Sequence, residues 1–482
     1  MPAPLAAFLV VLSSAAVLVL EVLVSRLVAP YVGLTLETYT AAIGVALAAI
    51  ALGASVGGRL ADRVDPRRWL GPAVALGGAL LLGARPTVFA AGEAFRGSGP
   101  VGTVVLVLLA VAPSAFVLST VTPGVVKLRL RTLEQTGQTV GRLSAAGTLG
   151  ALAGTFLTGY VLLAALPTST LLLATGVLLV AVGLVVAVAL PTVVDAPPLV
   201  ALAALATLTA SWLVVADSTC EVETRYYCAT VVADPQRQGG RTLVLDGLRH
   251  SYVDLDDPAH LEFAYTQRIG EVLAVQPDGP LRVLHLGLGG GSVPRHLAAV
   301  RPGSRSTVLE VDPEVPDLDR ARMGLVTGPD LQVIVGDART EITELPGATY
   351  DVVVGDAFGG LAVPWHLTTR EMVAQVERVL RPGGVYVLNV IDFPPLGFAR
   401  AEAATLLEAF DDAALMAPDG GRVGGNLVLV ASDEAIPVER LLAQGGAGSV
   451  VGRAQVQQFA GSAPVLTDDD APVDQLLNPY RT

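Results

Sequence analysis

Four positions at the ends of apolar runs carry the chemistry this sequence offers. The stretch RVLHLGLGGGSVPRHL reads as a strand ending at Leu286, a turn through Gly287, Gly289, Gly290 and Gly291, and a helix behind it. Glycines in such a turn let the backbone approach a ligand, and the helix N–H groups face it. An acid, Glu310, ends the next strand about 20 residues on, where a ribose hydroxyl pair would lie. Gly336-Asp337-Ala338 ends another strand, which places Asp337 and Ala338 to meet an adenine edge. Asp356 follows the run Asp351–Gly355. A helix cap or a solvated turn accounts for any single one of these acids. It does not account for the ordered set.

These positions need a frame. From Glu221 the pattern is short, β-branched and aromatic, with Tyr226–Val232 and Thr242–Leu245 separated by Gly239-Gly240, which predicts a small β-hairpin region. A helix is expected over Leu261–Val275. Strands at Arg282–Leu286, Thr307–Val311, Leu331–Val335, Asp351–Gly355 and Val385–Val390 then alternate with helices near Val293–Val300 and Thr369–Leu380. Such alternation predicts a Rossmann-like parallel sheet wrapped on both faces, with ligands at the carboxyl ends of its strands.

The first half is of another kind. The chain has 482 residues, 52% hydrophobic and only 16% charged, where a soluble domain carries about 25% charged residues. The depletion falls between Pro2 and Ala216. A membrane-spanning helix needs roughly 20 apolar residues. Seven stretches meet that need: Leu5–Val24, Tyr39–Gly57, Leu70–Ala91, Val101–Val121, Leu143–Ala165, Thr168–Leu190 and Leu199–Ala216, the last being the shortest. The chain therefore reads as an all-α transmembrane bundle over 1–217. A β-rich segment over 218–256 and a nucleotide-binding α/β domain over 257–482 follow. Gly150 and Gly154, with Gly147 and Gly159 near them, have the spacing that lets helices pack closely in lipid. Two loops are basic, one with Arg59, Arg63, Arg67 and Arg68, the other with Lys127, Arg129, Arg131 and Arg142. The positive-inside rule puts both in the cytoplasm. Three further spans would then deliver the α/β domain to the outside, and two would leave it in the cytoplasm. Cys220 and Cys228, the only cysteines, suit a disulfide in an oxidising compartment and equally suit two free thiols. No Cys/His cluster suggests a metal. A net charge of −13 argues against a nucleic-acid partner.

Two resemblances add to this reading. GRLADRVDPRR, from Gly58, resembles the loop between the second and third helices of major facilitator transporters, with Gly58, Asp62, Arg63 and Arg68 matching. The second half resembles the spermidine/spermine synthases (polyamine aminopropyltransferases), which have the class I S-adenosylmethionine-dependent transferase fold. Leu245, Asp246 and Gly247 stand at that family's LDG, and LEFAYTQ keeps Glu262, Phe263, Ala264 and Tyr265 of its DEFAYHE. VVVGDAFGG puts Asp356 at the first Asp of its D-S-S-D-P, and LTDDDAPVDQLL resembles tails of membrane-fused members.

The resemblance implies transfer from decarboxylated S-adenosylmethionine, or from S-adenosylmethionine itself, to an amine or polyamine, without a metal and commonly in a homodimer. Asp356 and Tyr265 would be catalytic. Gly287, Gly289, Gly291, Glu310, Asp337 and Ala338 would hold the nucleoside, with His250 and Gln267 on the substrate. Departures fall on the amine side: Gly290, Gly359, Leu261 and Gln267 replace acids of the family, Gly360 replaces its Pro, and His250 replaces its Gln. The expectation is therefore a retained nucleoside pocket and an altered acceptor. A methyltransferase and a nucleoside-binding sensor or transport protein stay open as alternatives.

Overall fold

The computed structural model describes residues 1–33, 36–96, 98–130, 136–190, 220–360, 363–445 and 448–478. Two compact units make up the chain, Met1–Thr219 and Cys220–Thr482.

The first unit is helical. It comprises α1 (Ala3–Val32), α2 (Leu36–Arg63), α3 (Pro66–Phe95), α4 (Gly99–Ser119) with its extension α5 (Val121–Arg129), α6 (Thr136–Leu157), which runs on through a wider turn at Thr158–Leu162, and α7 (Thr168–Ala189). Six of these helical stretches are long and apolar enough to cross a membrane. The expected seventh, Leu199–Ala216, lies outside the described residues. The helices outrun the apolar runs because polar flanks continue them. The α2–α3 corner is tight, with Asp65 accepting the Arg67 N–H at 3.0 Å as the cap of α3.

α1 and α6 touch through glycine. A Cβ added at Gly150 would stand 2.5 Å from the Val11 carbonyl, and one at Gly154 2.7 Å from the Ala15 carbonyl. Either would push the helices apart, which is the role read for the small residues. Gly159 departs from that set, since a Cβ there meets nothing within 4 Å. Lys127 Nζ donates to Asp62 Oδ1 at 2.7 Å, and Arg129 Nη1 donates to the Met1 carbonyl at 3.0 Å. The end of α2, the end of α5 and the amino terminus therefore share one end of the bundle. Arg131 lies outside the described residues. Large apolar side chains such as Leu52, Leu149, Phe156 and Val188 point outward from the bundle.

The second unit opens with an antiparallel sheet of β1 (Val222–Glu223), β2 (Cys228–Ala233), β3 (Gly240–Leu245) and β4 (Leu248–Asp254), in that order. Tyr226 and Tyr227, expected in a strand, lie in the β1–β2 turn, where their N–H groups donate to Thr224 Oγ1. The LDG stretch is a turn: Asp246 (φ +50°) and Gly247 (φ +78°) form the two-residue β3–β4 connection, a conformation that Asp-Gly adopts readily. Asp246 Oδ1 also accepts the Cys228 N–H at 2.8 Å. Cys220 and Cys228 are joined by a disulfide, which resolves the alternative left open by the sequence.

An eight-stranded sheet follows, ordered β12-β10-β11-β9-β8-β5-β6-β7. Its parallel part is β5 (Arg282–Leu286), β6 (Arg305–Glu310), β7 (Leu331–Val335), β8 (Tyr350–Gly355) and β9 (Leu380–Asp392). β10 (Asp412–Ala417), β11 (Gly425–Ser432) and β12 (Ser449–Val451) add to it antiparallel. The sheet is mixed, which corrects the expectation of a wholly parallel one. α8 (Ala264–Ala274), α9 (Ser292–Val300), α10 (Ala338–Glu344), α11 (Arg370–Val379) and α12 (Gly397–Ala409) flank it. Every residue of β8 is buried, as a central strand covered on both faces must be. Each Val or Leu buried there contributes about 1.5–3 kcal/mol, and that core holds the strand ends in place.

Candidate active site

A cavity of about 780 Å³ opens at the carboxyl ends of the parallel strands, a size within the range that small-molecule sites occupy. Gly287, Gly289, Glu310, Asp337, Ala338, Asp356, Tyr265 and His250 all line it. Eight of the ten residues singled out in the sequence thus meet in one place.

The glycine turn is required by geometry. Gly287 has φ +96°, and a Cβ there would stand 2.6 Å from the Asp356 carbonyl. The Asp356 N–H in turn donates to the Leu286 carbonyl at 3.0 Å. Only glycine allows the ends of β5 and β8 to approach so closely at that backbone angle. Gly291 (φ +69°) is the residue from which α9 starts. It aims the helix at the cavity without lining it.

Glu310 is buried at the end of β6. Its Oε2 accepts the Leu288 N–H at 2.9 Å and its Oε1 accepts the Asp312 N–H at 2.9 Å. Each carboxylate oxygen retains acceptor capacity for a further donor such as a ribose hydroxyl. Burial pushes this carboxyl above its ordinary value, while the N–H groups of Asp312, Leu288 and Val311 hold it back. Asp337 does two things. Oδ1 caps α10 by accepting the Arg339 N–H at 2.8 Å, and Oδ2 lies 3.1 Å from His366 Nε2.

Asp356 sits in the cavity wall. Asn389 Nδ2 donates to its Oδ1 at 2.8 Å, and the Tyr265 hydroxyl, which donates to the His250 carbonyl at 3.4 Å, lies close enough to the same carboxylate to favour its ionised form. Removal from bulk water pushes the Asp356 carboxyl up to about 6, and Asn389, then Tyr265, oppose that rise. The ion is disfavoured by desolvation and favoured by these two neighbours, and desolvation wins. Asn426 Nδ2 continues the line, donating to Asn389 Oδ1 at 3.2 Å. His250 is lowered to about 4 by burial and presents a neutral imidazole to the cavity. The Tyr227 hydroxyl donates to the Phe358 carbonyl at 2.8 Å, which ties the β1–β2 turn to the segment after β8.

Gln267 is a correction. It does not line the cavity; its Nε2 donates to the Leu261 carbonyl at 2.8 Å. Residues two apart on a helix point to opposite sides, so Tyr265 and Gln267 cannot both face the ligand. A Cβ at Gly290 would meet Met323 Cε at 2.6 Å, the end of a flexible side chain, and Ser251 Oγ at 3.0 Å. The site also contains Asn389, Asn426, Arg268 and His366, which sequence reasoning missed. Polar residues inside the runs VLNV and GGNLVLV were the available signal for the two asparagines. Among the described residues no group of three or more His, Cys, Asp or Glu side chains could hold a metal ion.

Known proteins resemble the same region. Residues 283–384 match the family model described as a methyltransferase domain. A polyamine aminopropyltransferase of Vibrio vulnificus is 34% identical over 170 residues, 34% of this chain and 56% of that protein. A second, from Chromobacterium violaceum, is 32% identical over 140 residues, 29% of this chain and 53% of the other. This chain thus spans about half the length of these curated relatives. The solved structure of a "probable spermidine synthase from Corynebacterium glutamicum" aligns at 30% identity and TM-score 0.48, covering 52% of this chain and 96% of the other.

Proposed function

The second unit carries a spermidine synthase-like domain related to the polyamine aminopropyltransferases, and from that premise we propose that the chain is a membrane-held transferase acting on an amine. The group transferred is the aminopropyl of a decarboxylated S-adenosylmethionine-type donor, and the acceptor differs from a simple polyamine. One observation carries the reading: a nucleoside-type wall of Gly287, Gly289, Glu310, Asp337 and Ala338 shares a cavity with a carboxylate, Asp356, held by Asn389 beside Tyr265.

The donor supplies a carbon made electrophilic by an adjacent sulfonium. The residues do the rest. Glu310 binds the ribose, and Asp337 with Ala338 meets the adenine. Asp356 accepts a hydrogen bond from the acceptor amine, aims its lone pair, and takes its proton as the nitrogen–carbon bond forms and the carbon–sulfur bond breaks. The sulfur keeps the electron pair and leaves as a neutral thioether. A base held by Asn389 is oriented before the substrate arrives, which is where positioning lowers a barrier.

A methyltransferase is the second reading. Gly290 favours it, because without an acid there the site does not repel the carboxylate of S-adenosylmethionine. The six long apolar helices support insertion in a lipid bilayer. The Cys220–Cys228 disulfide supports placing the second unit on the oxidising side, opposite the basic loops.

Turnover by the Asp356→Asn variant tests the assignment. Replacing a general base costs 10²–10⁴-fold, so we expect kcat to fall by about that much while methylthioadenosine still binds. Full turnover by the variant contradicts it.

A further inference from the structure

The β1–β2 turn belongs to the small sheet, yet Tyr226 and Tyr227 in it both line the cavity. The turn is closed on itself. The Thr224 N–H donates to the Tyr227 carbonyl at 2.8 Å, and the Tyr227 N–H donates to Thr224 Oγ1 at 2.8 Å. Its far end is fixed covalently, since Cys228, the residue after Tyr227, is bonded to Cys220. The Cys228 N–H donates to Asp246 Oδ1 at 2.8 Å, and the Asp246 N–H donates to the Cys228 carbonyl at 2.9 Å. Tyr227 therefore springs from a backbone held on both sides. Its hydroxyl crosses to the large sheet and donates to the Phe358 carbonyl at 2.8 Å.

Phe358 belongs to the segment that follows the proposed base, and Asp356, Ala357, Phe358, Gly359 and Gly360 all line the cavity. Two glycines end that segment. Gly359 is exposed, and a Cβ at Gly360 would meet nothing within 4 Å. Such a stretch has little packing of its own, and glycine loses more freedom on being ordered than any other residue. Tyr227 gives it an anchor from another sheet. The same phenol feels the opposite wall. Burial first, then the charges of Glu310, Asp246 and Asp312, push its hydroxyl above the ordinary value, so it stays a donor. One side chain thus stands between the ribose carboxylate and the segment behind the base.

We propose that Tyr227 is a positioning residue for the nucleoside donor and that the Cys220–Cys228 disulfide is its anchor. The inference rests on the nucleoside-site reading of this cavity. Tyr227 acts through Phe358: it keeps the wall from Asp356 to Gly360 in the place a donor requires, so binding need not order that wall, and a site ordered in advance binds more tightly. The disulfide fixes where the tyrosine starts from. When a dithiol opens it, Cys220 and Cys228 become thiols and the dithiol becomes a disulfide. Tyr227 then keeps its hydroxyl and loses its fixed origin, which makes donor affinity depend on the oxidation state of the chain.

The test uses the full chain in detergent, with methylthioadenosine affinity read by calorimetry and the KM of decarboxylated S-adenosylmethionine read beside it. Tyr227→Phe keeps the ring and the disulfide and removes one hydrogen bond. We expect it to weaken both by about three- to tenfold, with kcat changed less than about twofold. Replacing both cysteines by serine should weaken them by a similar factor. Reduction of the wild type with dithiothreitol should do the same and reverse on reoxidation. Combining the changes is the sharper reading. Serine replacement or reduction in the Tyr227→Phe background should weaken binding no further, because both changes break one connection. Losses that multiply show that tyrosine and disulfide act separately and overturn the proposal. Unchanged affinity in Tyr227→Phe also overturns it, and that variant decides the matter if the serine pair does not fold. It leaves the nucleoside site standing as long as the wild type binds. No binding by the wild type overturns both.

Discussion

Asp356 is held by Asn389 beside Tyr265 in a wall shielded from water, and its carboxyl is pushed up to about 6. The sign of the pH effect follows. Only the ionised form can take a proton, so kcat/KM should fall about tenfold per unit as pH drops below about 6, and level off above it. Asn389 opposes the upward shift, so Asn389→Ala should move that acid limb to higher pH. A limb at the ordinary aspartate value of about 4 in both proteins contradicts the assignment. Asp356 itself was legible because it ends a strand beside a glycine turn. Asn389 and Asn426 were not, because a strand period does not say which neighbouring strand a side chain will face until the register is known. Gln267 misled for a related reason, since a matching motif position fixes spacing but not which side of α8 faces the ligand.

At the level of elements, β5 to β9 and the helices α8, α9 and α11 were readable from alternating apolar runs and glycine turns, whereas the short α10 (Ala338–Glu344) was not. β10 (DAALMA) was not. It is buried from Ala413 to Ala417, so it shows no alternation, and its Ala, Leu and Met favour helices elsewhere. The leading half of β9 was hidden by Pro382, Gly383 and Gly384, which punctuate a strand in sequence. The small antiparallel sheet has its own staple. The disulfide closes a loop of eight residues' separation between Cys220 and Cys228, worth about 2.5 kcal/mol in the loop-entropy model. Replacing both cysteines by serine should speed amide hydrogen exchange across β1 and β2, by up to about 70-fold for that energy. Unchanged exchange there would show that the sheet holds without it.

At the scale of the whole molecule, the bundle brings Asp62, Lys127 and Met1 to one end, consistent with both basic loops lying on one side of a membrane. Six crossings would return the chain to that side, and the seventh span expected from the sequence at Leu199–Ala216 would deliver the second unit to the other. The second course is the one proposed above. Val326 is 81% exposed in the second unit, and both native cysteines are bonded. A Val326→Cys variant in intact cells should therefore react with a membrane-impermeant maleimide, and protection until lysis would put the unit in the cytoplasm. The most direct measurement is calorimetric titration of methylthioadenosine into the purified full chain and its Glu310→Ala variant. The account predicts saturable binding by the wild type and affinity weakened at least tenfold in the variant. No binding by the wild type, or equal binding by both, would contradict a nucleoside site at the ends of these strands.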